Sequence, residues 1–238
     1  MAPGSNGSSS SRSSSPVDST ATPGRPLFPL GYGLRDASDG NLPPLPQASG
    51  LPSTATVDHN VFFASGRAGS GWHWAAADDA GATALPHGIG ASDSKRLTLT
   101  ATDKAKQEDA RLLHWSGTGH ATAEITGATP IDLTRQTNGE LALAFDYLVK
   151  EAPSDAVTVG MECGASCGGA VAITPTLRAA PPGQWRHLDI PLACFAAAGE
   201  NMSRVRTPFI LQTSGKLTLG LANIHLESSA DGALPCPH

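Results

Sequence analysis

Aromatic residues make up only 5% of this 238-residue chain, charged residues only 16%, and long apolar runs are missing altogether. No stretch approaches the roughly 18 to 20 apolar residues that carry a helix across a bilayer, so no membrane-spanning helix is expected. Basic residues are in deficit: 16 Lys and Arg against 21 Asp and Glu leave a formal net charge of -5, and the cations are scattered rather than clustered. A nucleic-acid backbone finds no electrostatic footprint there. The eight histidines, among them His73, His114, His120 and His187, show no H-x3-H or H-E-x-x-H spacing. A nucleophile elbow, a phosphate loop and a dinucleotide fingerprint are absent as well, which disfavours a metal-dependent or nucleophilic enzyme. The opening MAPGSNGSSSSRSSSP lacks the apolar core of a secretory signal peptide, so the chain as written shows no export route.

What the chain does have is Gly (26), Pro (19) and short runs of Thr and Val. That composition suits many short strands joined by turns, and all-β is the expected class. Residues 1–24, dominated by Ser, Pro, Gly and Thr, bury too little apolar surface to offset the entropy of ordering and are expected to form a disordered tail. Residues 25–35 hold an island containing proline and aromatics, and residues 36–56 read as a Pro-rich linker. From 57 to 238, turn-bounded alternation predicts about nine strands, at 61–64, 95–101, 111–116, 140–149, 156–162, 170–174, 185–192, 208–213 and 216–227. Two antiparallel sheets packed face to face, an antiparallel β-sandwich or jelly roll, bury so many short strands economically. No internal repeat of roughly 20 to 50 residues is evident.

Two strands carry finer information. Leu141, Leu143, Phe145, Tyr147 and Val149 share one face, opposite Ala142, Ala144, Asp146 and Leu148, as in a half-buried strand. In the last strand Leu217, Leu219 and Leu221 hold one parity but Ile224 and Leu226 the other, which predicts a bulge or bend near Ala222 and Asn223. The four cysteines allow three pairings. The favoured one joins Cys163 to Cys167 across a small Gly-containing loop and Cys194 to Cys236, tying the C-terminus to the body. The C-x3-C spacing without a second matching pair is poor support for zinc.

The segment Pro26-Leu27-Phe28-Pro29-Leu30-Gly31-Tyr32-Gly33-Leu34 is similar to the P-L-F-P-F-G-Y-G-L segment near the end of the second catalytic domain of family 3 glycoside hydrolases. Gln107-Glu108-Asp109-Ala110-Arg111 leading to Trp115-Ser116-Gly117, then Gly183-Gln184-Trp185, Ile190-Pro191-Leu192-Ala193-Cys194-Phe195 and Gly199, resemble the galactose-binding-like domain appended to bacterial exo-β-glucanases and glucan β-glucosidases of that family. The resemblance implies a galactose-binding-like jelly roll. It also implies a periplasmic or secreted parent that removes glucose from the ends of β-glucans or cello-oligosaccharides with retention, whose catalytic domains are the partner. Retention needs two carboxylates about 5 Å apart. In that family both lie upstream of the P-L-F-P-F-G-Y-G-L segment, and neither has a counterpart here, so no catalytic residue is expected. The Ser-rich stretch that stands where the family has a catalytic-domain strand suggests a truncated or frame-shifted gene, or an excised fragment.

Sugar-binding candidates are few. Trp72 and Trp74 at i and i+2 share one strand face and could stack on a pyranose, although paired Trp more often belong to a core or a junction. Trp185 has the opposite parity to Leu188 in its strand and is expected to be partly exposed, whereas Trp115 shares parity with Leu113 and reads as core. Asp78, Asp79 and Asp93, or Asp103, Glu108 and Asp109, could supply oxygens for a structural calcium, against the more ordinary reading of solvated acidic surface. No other cofactor is implied, and no metal ligand is assigned. Glu124, Asp132, Asp146 and Asp189 are the remaining carboxylates from which a hydrolytic pair could be drawn, but no spacing singles out two of them. The expectation is therefore a non-catalytic accessory domain of a family 3 β-glucosidase, with an autonomous carbohydrate-binding or lectin-like module, or a ligandless structural remnant, as the alternatives.

Overall fold

The computed structural model describes residues 57–164 and 167–228 together with Leu234 and Cys236; the tail at 1–24, the island at 25–35 and the linker at 36–56 lie outside the described residues. The described chain forms fourteen strands: β1 (Val61–Ala64), β2 (Arg67–Ala68), β3 (Trp72–Asp78), β4 (Gly81–Leu85), β5 (Gly90–Ala91), β6 (Leu97–Thr102), β7 (Ala110–Ser116), β8 (Ala121–Gly127), β9 (Leu141–Glu151), β10 (Val157–Gly164), β11 (Cys167–Ala172), β12 (Trp185–Pro191), β13 (Thr207–Thr213) and β14 (Lys216–Ser228). Three short helices, α1 (Thr134–Asn138), α2 (Thr174–Ala179) and α3 (Leu192–Ala197), occupy connections. All pairings are antiparallel. One eight-stranded sheet runs β12-β9-β14-β7-β6-β5, with β1 and β2 joined to it through β14; a six-stranded sheet runs β11-β10-β13-β8-β3-β4.

All nine expected strands are present, with several ends moved; Lys95 and Arg96 fall in the turn before β6. Residues 173–174 and Leu192 leave the sheet because Pro175 opens α2 and Pro191, at φ -54, caps α3; proline ends the ladder and presets a helical start. The strands without a forecast include β4 and β8, which are rich in Ala, Gly and Thr. Alanine carries little strand preference of its own, so these segments become strands by packing against neighbours.

Between the sheets lies a core of interdigitating aromatics. Phe145 of β9 meets Phe209 of β13 with centroids 5.5 Å apart and planes at 78°, and Phe209 continues to Trp74 at 6.4 Å, which meets Phe63 at 5.3 Å. These edge-to-face contacts place the positive ring edge on the negative face and add to simple area burial. Arg111, 3% exposed, is held by carbonyls rather than a carboxylate: its guanidinium donates to the carbonyl oxygens of His87, Gly66, Glu108 and Ala110 and lies over Phe63. It ties β7 to the β1–β2 turn. Both disulfides form as expected, Cys163 with Cys167 at a Cα separation of 5.3 Å and Cys194 with Cys236 at 4.9 Å.

Glu200 is buried with neither carboxylate oxygen hydrogen-bonded. Burial, reinforced by the nearby Glu162 charge, pushes its pKa up to about 7, and the backbone amide of Gly169 offsets only part of this. At acidic pH, folded and unfolded chains both carry the neutral acid. Between about 4.5 and 7 the unfolded chain ionises first, so the native state loses stability as pH rises through that window. Glu200→Gln is thus expected to leave stability at pH 4 nearly unchanged and to raise it at pH 8 by up to about 3 kcal/mol. Urea unfolding at the two pH values checks this; equal effects at both would contradict it.

Candidate functional site

The bulge in β14 builds the site. On the β9 side, Ala222 pairs with Asp146 while His225 pairs with Ala144, so β14 holds one extra residue, and Asn223 takes φ 50 there. Because side chains alternate, that extra residue reverses parity: Leu217, Leu219 and Leu221 point inward before it, and Ile224 and Leu226 after it. The same reversal brings His225 and Glu227 to the outer face, where the registers place them beside Asp146 of β9 and His187 and Asp189 of β12. A sheet otherwise faced by Ala142, Ala144, Gly220 and Ala222 thus carries a dense polar cluster.

Asp146 is its hub. Lys104 donates to its Oδ2, Asn223 Nδ2 donates to the same oxygen at 2.7 Å, and His187 Nδ1 lies 3.0 Å from Oδ1. Burial would raise the Asp146 pKa, but these three partners outweigh it and hold the carboxyl below the usual carboxylate range. His187 Nε2 lies 2.8 Å from Asp189 Oδ1 and 3.1 Å from Glu227 Oε1, and His225 Nε2 lies 2.9 Å from Glu227 Oε2. Burial opposes charge on His187, yet its hydrogen bonds to Asp146 and Glu227 and the charge of Asp189 prevail and raise its pKa. A second polar row continues the face: His114 Nδ1 lies 2.9 Å from Thr218 Oγ1, which donates to Glu151 at 3.1 Å.

Trp185 flanks the cluster. It pairs with Leu148 and is half-buried, with its indole lying over β9 and reaching Gly220 of β14. A Cβ built on Gly220 would come 3.0 Å from Trp185 Cη2 and 3.3 Å from Leu148 Cβ, so the ring lies low because that position carries no side chain. Lys104 Nζ sits 6.0 Å from the ring centroid. An aromatic surface beside fixed donors and acceptors is what a polyhydroxylated ring needs: C–H faces pack on the indole while hydroxyls exchange water for side-chain partners.

The other expected positions fall elsewhere. Trp72 and Trp74 are core residues, 6% and 1% exposed, with Trp72 Nε1 donating to the Asp58 carbonyl at 2.6 Å. They line the ≈ 690 Å³ cleft with Arg67, His73, Leu85 and His87, but at this burial neither offers an open stacking face. Their shared parity is the parity of the core. Trp115 is buried as well, donating to Ala121 O at 3.0 Å.

Four of the six acidic groups weighed for calcium are met by backbone amides or a guanidinium, and Asp93 accepts from the Thr83 hydroxyl. Asp109 accepts from the amides of Lys104, Ala105 and Lys106, Asp103 from Glu108, and Asp78 from Ala80 and Ser94, while Asp79 pairs with Arg96. Carboxylates met by N–H groups and guanidinium already have positive partners where a cation would sit. Glu124 lies on the six-stranded sheet and Asp132 caps the start of α1 at Thr134, both away from the cluster. Only Asp146 and Asp189 come together, and the His187 imidazole fills the space between them.

A family model described as galactose-binding domain-like, Exop_C, matches residues 70–226. The chain belongs to this galactose-binding-like family. Among solved structures, the extra C-terminal domain of an exo-1,3/1,4-β-glucanase from a Pseudoalteromonas species aligns with a TM-score of 0.59 at 19% identity, over 74% of this chain and 96% of that domain. The whole glucanase aligns with a TM-score of 0.62 at 18% identity, over 82% of this chain, which spans 23% of the enzyme's length. A family 30 carbohydrate-binding module aligns at 0.50 with 16% identity, over 77% of this chain and 91% of the module. At these identities the likeness is one of fold. No curated protein matches the chain.

Within the galactose-binding-like domain, Lys104, Gly220, Asn223, His225 and Glu227 belong to this candidate face and carry no signal singled out from the sequence. One signal was available: Asp146 is the single acid on the outward parity of β9, set among Ala142, Ala144 and Leu148. Gly220→Val is expected to lift the Trp185 ring by filling the space beneath it while leaving the core intact. Trp185 fluorescence should shift toward that of an exposed indole with little loss of unfolding free energy; an unchanged spectrum would contradict the packing.

Proposed function

We propose that this domain is a non-catalytic accessory module that binds β-1,3/1,4-linked glucan across the outer face of its eight-stranded sheet and serves the catalytic domains of a family 3 glycoside hydrolase. The observation that carries the reading is the half-buried Trp185 lying beside the Lys104–Asp146–His187–Glu227 network on one sheet face. Stacking supplies affinity and the fixed polar groups supply orientation. The glucan class is supported by the fold shared with the accessory domain of an exo-1,3/1,4-β-glucanase and with a carbohydrate-binding module. The family 3 partner rests on the Pro26–Leu34 segment.

The carboxylates of this face do not meet the geometry of glycoside hydrolysis. Retaining hydrolysis needs two carboxyl groups about 5 Å apart, and inverting hydrolysis roughly 6.5 to 9.5 Å, facing each other across the scissile bond. Asp146 and Asp189 are instead bridged by one imidazole on a single surface. A second reading, an autonomous carbohydrate-binding module, is supported by the fold shared with a family 30 carbohydrate-binding module. Calorimetric titration of the purified chain with laminari- and cello-oligosaccharides, alongside a chromogenic β-glucoside assay, tests both. Saturable binding without hydrolysis is expected; hydrolysis, or no binding to either glucan, would overturn the proposal.

A further inference from the structure

The polar cluster contains more negative charge than its hydrogen bonds use. Asp189 is 8% exposed, and its Oδ1 is buried without a hydrogen bond even though His187 Nε2 is only 2.8 Å away. Nε2 carries at most one hydrogen and faces both Asp189 Oδ1 at 2.8 Å and Glu227 Oε1 at 3.1 Å, so it cannot satisfy both carboxylates. A buried carboxylate oxygen left unpaired is costly and calls for a partner.

Both imidazoles are oriented for the same missing partner. His187 Nδ1 faces the Asp146 carboxylate at 3.0 Å, and His225 Nδ1 faces the Asn223 carbonyl at 2.8 Å. With Nδ1 so engaged, each ring turns its Nε2 toward the carboxylates. Both Nε2 atoms point at one carboxylate, Glu227, so two imidazoles and two carboxylates converge on one spot where a proton or a metal cation can stand between them. An acceptor behind each ligating imidazole is the usual second shell of a zinc site.

We propose that His187, Asp189 and Glu227, completed by His225, bind one zinc-class divalent ion on the outer face of the eight-stranded sheet. The ligand atoms of His187, Asp189 and Glu227 lie within 4.8 Å of one another. Tetrahedral zinc with N and O ligands at about 2.0 to 2.2 Å needs them roughly 3.3 Å apart, a small adjustment for side chains. Two imidazoles and two carboxylates suit zinc, whereas calcium and magnesium prefer all-oxygen sets. No sequence spacing encodes the site: each strand contributes an i, i+2 pair, 187/189 and 225/227, and the β14 bulge aligns the pairs. The site shares His187 and Glu227 with the proposed sugar face, but the ion needs no glucan, so uptake measured without sugar is read separately from glucan binding.

Metal-stripped protein, full chain and disulfides intact, is titrated with zinc chloride by calorimetry at slightly alkaline pH without sugar, and separately with cobalt chloride read by visible absorption. One ion per chain, tetrahedral cobalt bands and proton release are expected. Asp189→Asn and His225→Gln should each lose at least about 100-fold in affinity. His73→Gln, on the other sheet, should not. Near-UV dichroism identifies any variant that fails to fold, and the partly exposed His225 provides the safer one. No uptake by the wild-type chain, or equal uptake by both ligand variants, would show that protons alone neutralise the cluster and would overturn the proposal.

Discussion

Trp185→Ala is expected to weaken glucan binding by about 30-fold or more, near 2 kcal/mol, the size of effect carried by a central aromatic anchor. Trp185 is partly exposed, supported from below by Leu148 and Gly220, and adjacent to Lys104 and its partner Asp146. Its loss removes the apolar surface for the sugar's C–H face and leaves the polar groups without a neighbour that excludes water. Since the ring lies on the outer side of the sheet, the same variant should unfold at nearly the wild-type denaturant concentration. Calorimetry with the better glucan ligand measures the first effect and urea unfolding the second. Undiminished affinity in a folded Trp185→Ala protein would move the sugar site off this face.

The opposite signature is expected at Trp74. Trp74 is 1% exposed and packs edge-to-face on Phe63 and Phe209, so truncation to alanine leaves a large void at the centre of the core. The cost should be about 3 to 5 kcal/mol, a large share of a typical domain's stability. The unfolding midpoint in guanidinium should fall sharply. Whatever fraction remains folded should bind glucan as the wild type does, because Trp74 lies on the inner side of the other sheet. A stable Trp74→Ala protein with selectively lost glucan affinity would restore the Trp pair as a stacking platform. Trp185 and Trp74 are thus separable: one should lower affinity at constant stability, the other stability at constant affinity.

Several features were legible from local pattern alone. Strict alternation over residues 141–149 identified β9 with its inward and outward sets, because a half-buried strand must place every second residue in the core. The change of parity after Leu221 located the bulge, since a regular strand would have sent Ile224 and Leu226 to solvent. The parity of Trp185 against Leu188 indicated its partial exposure. The two cysteine pairs also formed as spacing and compartment suggested. Where pattern was weak it failed: β8 buries Ala121, Ala123 and Ile125, too little hydrophobicity to stand out from a loop.

By itself, then, the sequence determined the all-β sandwich, the strand faces and the bulge, because each depends on alternation along a strand. Only the tertiary structure decided the site. Trp72 and Trp74 have the right spacing for a platform, but spacing reports only that two rings share a face, not whether that face is covered; the opposing sheet covers it. Conversely, Lys104, Asp146, His187, Asp189, Asn223, His225 and Glu227 come from separate parts of the chain and meet through strand order, register and one extra residue in β14. Strand order is set by how the whole core packs, so no local pattern carries it.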